Sequence, residues 1–180
     1  MNETGKITVK KAYLREDPCL IYLEFDEEVA GKIKAGDYLG NDDRTPEIEI
    51  KNNVFNDFPA IRLSSSKKTV FVNNVVKNCN ALLVNDLMRY WSVTGCVNDL
   101  TIQNNVFENC GTAVRVFVDR LAESTVKHKN IKIIGNTIKN CRFGISAEHV
   151  DGLKIKDNVF ENVEEKIIFR ECLNTEISEV

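Results

Sequence analysis

The residues with the clearest chemical potential lie together in one short stretch of the chain. Asp86, Arg89, Tyr90 and Trp91 fall within six consecutive positions, and Trp91 is the only tryptophan. A flat aromatic ring can stack on the apolar face of a sugar, while a carboxylate and a guanidinium can orient its hydroxyl groups. The stretch therefore predicts a carbohydrate-binding site. The alternative is that Trp91 only packs against its own loop.

A second polar group begins at Arg115 and continues through Asp119 and Glu123. Asp119 and Glu123 could line the same groove as Asp86, with Arg115 as a further sugar contact. The alternative is a solvated charged loop. Asp42 and Asp43 form the only adjacent aspartate pair, but they lead into the turn-type sequence Arg44-Thr45-Pro46, so we assign them no catalytic role.

Both groups must be positioned by a repeat that occurs five times, each copy centred on an asparagine. Each copy alternates apolar and polar residues, as a half-buried strand does. A near-constant period in strand-type sequence is typical of a solenoid. We therefore predict an all-β fold, a right-handed parallel β-helix of about five coils. A leucine-rich repeat is disfavoured because its leucine consensus and helical segment are absent. The central asparagines are Asn53, Asn74, Asn105, Asn136 and Asn158, spaced by 21, 31, 31 and 22 residues.

Three positions in each copy are expected to build the interior. In a parallel stack, equivalent residues lie about 4.8 Å apart, so each position becomes a ladder of like side chains. Three residues before the asparagine come Ile50, Phe71, Ile102, Ile133 and Ile155; two after it come Phe55, Val76, Phe107, Ile138 and Phe160; five after it come Phe58, Cys79, Cys110, Cys141 and Val163. All six cysteines are expected to be reduced, and the three of the last set are expected to be buried in the interior. The six cysteines of the chain show no metal-ligand spacing, so we predict no metal and no cofactor.

The central asparagines are predicted to turn the corner between two strands. Asparagine tolerates left-handed backbone angles, and stacked asparagines can pass amide hydrogen bonds along a ladder. His128 and His149 also fall close to corners, and we expect both to be surface residues without a role as bases. A second strand should follow each corner, at residues 60–63, 81–84, 113–116, 143–146 and 166–169.

Two repeat intervals exceed the basic coil length, by 31 − 21 = 10 residues. Insertions in solenoids gather on one face, which is often the binding face. The first insertion, residues 85–95, contains Trp91 and its polar neighbours, and the second covers residues 117–128. We therefore expect the two candidate groups to lie on the same side of the helix.

Residues 1–43 do not fit the repeat and are predicted to form a separate N-terminal β element, with the β-helix at residues 44–180. Strands are expected at 6–10 and 19–25, joined by a turn at 15–18, with a third beginning at 33–39. This element could cap the open strand edges of the first coil.

Composition excludes several classes of partner. The net charge of −3 lacks the basic surface that nucleic acids require, and no apolar run approaches the ~20 residues of a membrane span. The first residues lack the apolar stretch of a signal peptide, and the localisation stays open.

The order of several motifs resembles glycoside hydrolase family 110, the bacterial α-1,3-galactosidases. The similarity covers roughly residues 36 to 110. It is carried by the stretch Arg44–Phe55, then by Asp86, Tyr90, Trp91 and Gly95, and then by the strand Val97–Phe107. The loop containing Tyr90 and Trp91 is the discriminating part, and it is one residue longer than the family's usual spacing. The resemblance implies a carbohydrate-active β-helix that recognises a galactose-containing glycan, and a family that bacteria typically export.

One departure from the family limits what the resemblance implies. Family members are much longer, and their catalytic aspartates lie upstream in a coil that reads roughly Asp-Asp-x-Ile-Asn-Val-His-Gly. This sequence does not contain that motif, since its pair Asp42-Asp43 continues as Arg44-Thr45-Pro46. The resemblance therefore implies a scaffold whose catalytic carboxylates are missing, either as part of a longer chain or as a shortened relative.

Three functions follow as hypotheses. The first is a segment of a galactosidase-like glycoside hydrolase that is inactive alone, in which Asp86, Arg89, Tyr90, Trp91, Arg115 and Asp119 contact sugar. The second is a non-catalytic carbohydrate-binding or structural β-helix. The third is a polysaccharide lyase, which is disfavoured because no acidic cluster for calcium stands on any predicted strand. An exposed first coil could also allow self-association.

Overall fold

The computed structural model describes residues 8–14, 21–26, 28–29, 45–85, 96–118 and 128–178. The chain divides into two compact units, residues 1–39 and 40–180. In the first unit, β1 (Val9–Leu14) and β2 (Ile21–Phe25) pair antiparallel. Two strands were predicted here, although β1 begins and ends later than expected. The predicted turn at 15–18, the third strand at 33–39 and the proposed boundary after residue 43 lie outside the described residues.

The second unit is built from short strands that follow one another around a coil. In chain order they are β3 (Ile48–Lys51), β4 (Val54–Asn56), β5 (Ile61–Leu63), β6 (Thr69–Val72), β7 (Val75–Lys77), β8 (Ala81–Asn85), β9 (Asn98–Gln103), β10 (Val106–Glu108), β11 (Thr112–Phe117), β12 (His128–Ile134), β13 (Thr137–Glu148), β14 (Val150–Lys156), β15 (Val159–Arg170) and β16 (Glu176–Ser178). Each of the five predicted second strands is present, within β5, β8, β11, β13 and β15.

Equivalent strands of successive coils pair in parallel. One sheet has the order β3-β6-β9-β12-β14-β16. A second face runs β4-β7-β10-β13-β15, and a third runs β5-β8-β11-β13-β15, because the long strands β13 and β15 continue through the bend between these two faces. This coiled stack of parallel sheets is the predicted β-helix. The described residues include no helix of the length and apolarity needed to cross a membrane.

The core is a continuous column of the predicted ladders. Phe71, Ile102, Ile133 and Ile155 are completely buried, as are Val76, Phe107 and Ile138. The same rows become accessible at the ends of the stack: Ile50, Phe55 and Phe160 are only partly buried, and Phe58 is 49% exposed. Each coil therefore buries its apolar face mainly by being covered on both sides, which is how a solenoid makes a core.

The cysteine ladder is confirmed. Cys79, Cys110 and Cys141 are 3–4% exposed, and each is a free thiol. Burial raises the pKa of the Cys79 thiol, and the hydrogen bond with the Cys141 thiol, together with burial, raises the pKa of Cys110. These thiols act as small apolar groups of the core.

The amide ladder is confirmed, but the left-handed residues are not the ones predicted. Asn74, Asn105, Asn136 and Asn158 are at most 3% exposed, and none of the five central asparagines has a positive φ. The backbone N–H groups of Asn53, Asn74, Asn105 and Asn136 each donate to the side-chain oxygen of the next central asparagine at 2.8–3.0 Å. The left-handed residue of each corner is the preceding one: Asn52, Asn73, Asn104, Gly135 and Asp157, with φ of 54–64°. The central asparagine must keep an ordinary backbone conformation so that its side chain can turn inward and bridge two coils.

A second asparagine row marks the next corner and was not anticipated from the sequence. Its members stand four residues after the central asparagines and have φ of 52–55°: Asn78, Asn109, Asn140 and Asn162. Their side chains are exposed and bond between coils, as from Asn162 Nδ2 to Asn140 Oδ1 at 2.9 Å. The signal was present in the sequence as an asparagine recurring at a fixed offset in four of the five copies.

Candidate functional site

The two insertions begin and end at neighbouring points of the helix. The first follows Asn85 at the end of β8, and the second follows the end of β11, where Phe117 pairs with Asn85 in register. They return on adjacent coils as well, since the backbone N–H of Lys129 donates to the carbonyl oxygen of Val97 at 2.9 Å. The described ends of the two insertions therefore lie side by side on adjacent coils, and the expectation that the insertions themselves share one side stays a prediction. Residues 86–95 and 119–127 lie outside the described residues.

His128 holds the ends of both insertions together. Its ring is completely buried, its Nδ1 accepts the backbone N–H of Val97 at 2.9 Å, and its Nε2 lies 2.8 Å from the carbonyl oxygen of Phe117. A carbonyl oxygen can only accept and an N–H can only donate, so the ring is neutral with its proton on Nε2.

The prediction that His128 is a surface residue was wrong, because its position after a long insertion gave no sign of burial. His149, predicted in the same way, is partly exposed in a left-handed corner with φ 55°. Its Nδ1 lies 3.1 Å from Glu171 Oε2.

The outward surface of β5, β8 and β11 and of the second halves of β13 and β15 forms what we call the arginine face. One row along it consists of Arg62, Leu83, Arg115, Ser146 and Ile168; the next row, at the strand ends, consists of Asn85, Phe117, Glu148 and Arg170. The register between Arg115 and Arg62 was predicted, and the strand pairing shows Leu83 between them. Inward-facing neighbours such as Leu82, Val84 and Val114 are completely buried, so the residues of the two rows alternate with the core positions. Asn85 is the exception in exposure, since it is only 1% exposed.

Both exposed arginines of the first row have a defined contact within this face. Arg62 Nη1 donates to Asn85 Oδ1 at 3.5 Å, and the Arg115 guanidinium lies 4.6 Å from the centre of the Phe117 ring. The second contact is a cation–π arrangement. In the part of the chain that the structure describes, neither guanidinium has an ion pair with a carboxylate.

Of the six sugar-contact residues predicted from the sequence, the structure describes one. Arg115 is exposed on the arginine face, whereas Asp86, Arg89, Tyr90, Trp91 and Asp119 lie outside the described residues, as does the pair Asp42 and Asp43. The sugar-contact role of all six residues, Arg115 included, therefore remains a prediction. The described residues contain no group of three side chains that could hold a metal ion.

Three polar or aromatic residues of this site were missed by the sequence reading. Asn85, Phe117 and Glu148 come from successive coils and form one row only because β8, β11 and β13 pair in this register. Glu148 is the one carboxylate that the described residues contribute to the two rows. Glycoside hydrolysis uses a pair of carboxyl groups, and these two rows provide one.

Comparison with known proteins identifies the fold and a group of similar enzymes. The family model described as "Right handed beta helix region" matches residues 22–177. The chain is 32% identical over 128 residues to alpha-1,3-galactosidase A of Bacteroides thetaiotaomicron, a match that covers 67% of the chain and 22% of the relative. It is 33% identical over 145 residues to alpha-1,3-galactosidase A of Akkermansia muciniphila, covering 76% of the chain and 24% of the relative.

A third relative, alpha-1,3-galactosidase B of Bacteroides thetaiotaomicron, is 26% identical over 170 residues, covering 86% of the chain and 27% of that relative. The chain thus spans 22–27% of the length of these relatives. No solved structure matches it significantly. The resemblance read from the sequence motifs is confirmed.

Proposed function

The chain belongs to the right-handed β-helix family, and from this premise we propose that it supplies one carbohydrate-binding wall of an α-1,3-galactosidase-like glycoside hydrolase. In this proposal the chain alone binds a galactose-containing glycan and does not cleave it. The sugar contacts are Asp86, Arg89, Tyr90, Trp91, Arg115 and Asp119.

One observation carries the proposal: both insertions start beside the arginine face. Asn85 and Phe117, the described residues at the ends of β8 and β11, are paired in register on neighbouring coils. Asp86 follows the first directly in sequence, and Asp119 comes two residues after the second. Loops on one edge of a rigid scaffold are a common location for binding residues.

The absence of turnover follows from the number of carboxylates. An inverting hydrolase needs one carboxylic acid to protonate the leaving oxygen and one carboxylate to activate water on the opposite side of the ring. The sequence lacks the Asp-Asp motif of family 110, and Glu148 is the single carboxylate that the described residues provide in the two rows. In this proposal, removal of terminal α-galactose depends on the catalytic motif of the family, which this sequence lacks.

The test uses the chain alone at high concentration. We expect no hydrolysis of a chromogenic α-galactoside or of an α-1,3-linked galactose disaccharide, and measurable binding of the disaccharide by calorimetry. Trp91→Ala should weaken this binding about tenfold, since an aromatic contact is worth roughly 0.5–1.5 kcal/mol beyond its buried area. Phe169→Ala, which removes a half-exposed aromatic ring of the last coil, is the matched control and should leave binding unchanged.

Two results would contradict the proposal. If the chain does not bind the disaccharide, or binds it equally well in wild type and Trp91→Ala, the proposed sugar-binding role is wrong. Hydrolysis that disappears in Asp86→Asn or Asp119→Asn would mean that a complete catalytic pair stands within these residues.

A non-catalytic carbohydrate-binding module is the second candidate, and the missing Asp-Asp motif favours it. The two candidates differ in the part of the glycan that is recognised. A hydrolase wall should bind chain ends, so free galactose should compete with the disaccharide. A binding module should prefer internal chain segments, with little competition from free galactose.

A further inference from the structure

Three of the four described arginines lie on the arginine face. Arg62 and Arg115 belong to its first row and Arg170 to the second, and all three side chains are exposed. Arg62 and Arg115 are separated by one strand, which sets their Cα atoms roughly 10 Å apart along the helix axis. The face therefore carries cations at a regular spacing on a protein whose net charge is −3.

Among the residues that the structure describes, these arginines differ from the fourth in forming no ion pair with a carboxylate. Arg142 Nε lies 3.7 Å from Glu164, whereas Arg62, Arg115 and Arg170 have no ion pair within the described ranges. Arg142 also lies over an aromatic ring, 4.9 Å from the centre of Phe143. Stacking on a ring therefore does not distinguish the arginine with a carboxylate partner from those without one. The uncompensated cations are available to an external anion.

Neighbouring groups orient two of the guanidinium groups before any ligand arrives. Asn85 accepts from Arg62, and the Phe117 ring supports Arg115. Guanidinium groups form two parallel hydrogen bonds with carboxylate or sulfate oxygens, and holding them in place reduces the entropy lost on binding. Leu83 and Phe117 provide apolar surface beside them, and Ser146 continues the row with a hydroxyl group.

We propose that the arginine face binds an acidic glycan, meaning a sugar chain that carries carboxylate or sulfate groups. The inference rests on the proposed function only for the class of ligand, a glycan, and it adds the charge of that ligand. A row of separated arginines along a flat sheet suits anionic groups repeated along a chain. An apolar and hydroxyl-bearing surface between them suits sugar rings. The acidic balance of the whole chain disfavours a nucleic acid, which requires a broad basic surface.

The experiment measures the affinity of the full chain for oligosaccharides of equal length and different charge. The probes are a galacturonic acid oligosaccharide, a sulfated galactose oligosaccharide and a neutral galactose oligosaccharide, with a single-stranded DNA oligonucleotide as the competing class. At low salt we expect the better of the two acidic sugars to bind at least about tenfold more tightly than the neutral one, because bonds to charged groups are worth about 1.5–3 kcal/mol. The preference should shrink as salt rises. The two acidic probes show whether carboxylate or sulfate is preferred.

Single substitutions connect the preference to the face. Arg62→Gln should reduce acidic-sugar affinity about tenfold and leave neutral-sugar affinity unchanged, because Arg62 is not among the proposed neutral-sugar contacts. Arg142→Gln is the matched control. Arg142 is also an exposed arginine over an aromatic ring, but it already forms an ion pair with Glu164, so its substitution should change neither affinity. Circular dichroism and thermal unfolding of each variant check that the fold is retained.

The inference is overturned if acidic and neutral sugars bind equally, if Arg62→Gln has no effect, or if DNA binds as tightly as the acidic sugars. Any of these outcomes would contradict the inference alone. The proposed function would still stand if Trp91→Ala weakens binding of the neutral sugar. Conversely, acidic binding that depends on Arg62, without neutral binding that depends on Trp91, supports the arginine face and refutes the galactosidase wall.

Discussion

His128 is the residue on which the geometry of the candidate site depends most directly. Its two ring nitrogens bond the chain segments at the end of the first insertion and at the start of the second, and the ring itself closes the second insertion. The ring is completely buried, so it is not positioned to act as an acid or base on a ligand at the surface. Its role is to position: it fixes where the two insertions leave and rejoin the stack.

Replacement of His128 by leucine should destabilise the protein by about 2–4 kcal/mol. The Val97 N–H and the Phe117 carbonyl would both lose a partner in a buried environment, and each unsatisfied group costs about 1–3 kcal/mol. The measurement is the midpoint of urea unfolding. His149→Asn is the control, since asparagine tolerates the left-handed backbone found there, and it should change stability by less than about 0.5 kcal/mol. An equal loss in both variants would contradict the assigned role.

At the scale of strands and corners, the column of central asparagines connects one coil to the next. Asn105 shows the arrangement: its Oδ1 accepts the backbone N–H of Asn74 at 2.8 Å, and its Nδ2 donates to the Phe71 carbonyl oxygen and to Asn136 Oδ1, both at 2.9 Å. Each of the three inner asparagines, Asn74, Asn105 and Asn136, therefore donates to one neighbouring asparagine and accepts from the other. This is why asparagine, which has both functions on a short side chain, recurs at this position.

Asn105→Ala should destabilise the protein by about 3 kcal/mol, because it leaves the buried N–H of Asn74 and the buried carbonyl of Phe71 without partners. Chemical denaturation followed by circular dichroism measures the change. Asn109→Gly is the control from the exposed second row: it keeps a residue that adopts positive φ and removes only an exposed side-chain bond to Asn78 Oδ1. If the two variants lose the same stability, the inner ladder has no special contribution.

At the scale of the whole molecule, the two ends of the stack expose what its middle buries. Phe58 in the first coil and Phe169 in the last are 49% and 50% exposed, although the equivalent residues of the inner coils are buried. An open depression at the last coil is lined by Glu165, Lys166, Ile167, Phe169 and Ile177. Exposed apolar ends and strand edges favour pairing with another chain.

Self-association through the first coil is expected and can be measured by light scattering over a range of concentrations. Phe58→Asp should shift the protein toward monomer, because it places a charge in the apolar contact. Phe169→Asp, at the opposite end, should leave the association unchanged. A monodisperse monomer at high concentration would contradict this expectation. If only Phe169→Asp reduced the association, the contact would lie at the last coil and not at the first.

The architecture could be predicted from the amino-acid sequence, because every coil of a solenoid repeats the same pattern of core residues. The spacing of the asparagines, the aliphatic and cysteine rows and the lengths of the two insertions were sufficient to predict the β-helix. They also predicted that both insertions lie on one side of it. One copy of this residue pattern would not identify a strand reliably, but five copies at the same positions do.

The contacts between coils could not be predicted in the same way and became visible in the folded structure. The left-handed residue of each corner is the one before the central asparagine, because the side chain that bridges two coils needs an ordinary backbone conformation. His128 is buried because it closes an insertion against two strands that are distant in sequence. The register of the strands places Arg115 on the same face as Arg62, Asn85, Phe117 and Glu148. Such contacts depend on the alignment of coils, which the residues of one coil do not encode.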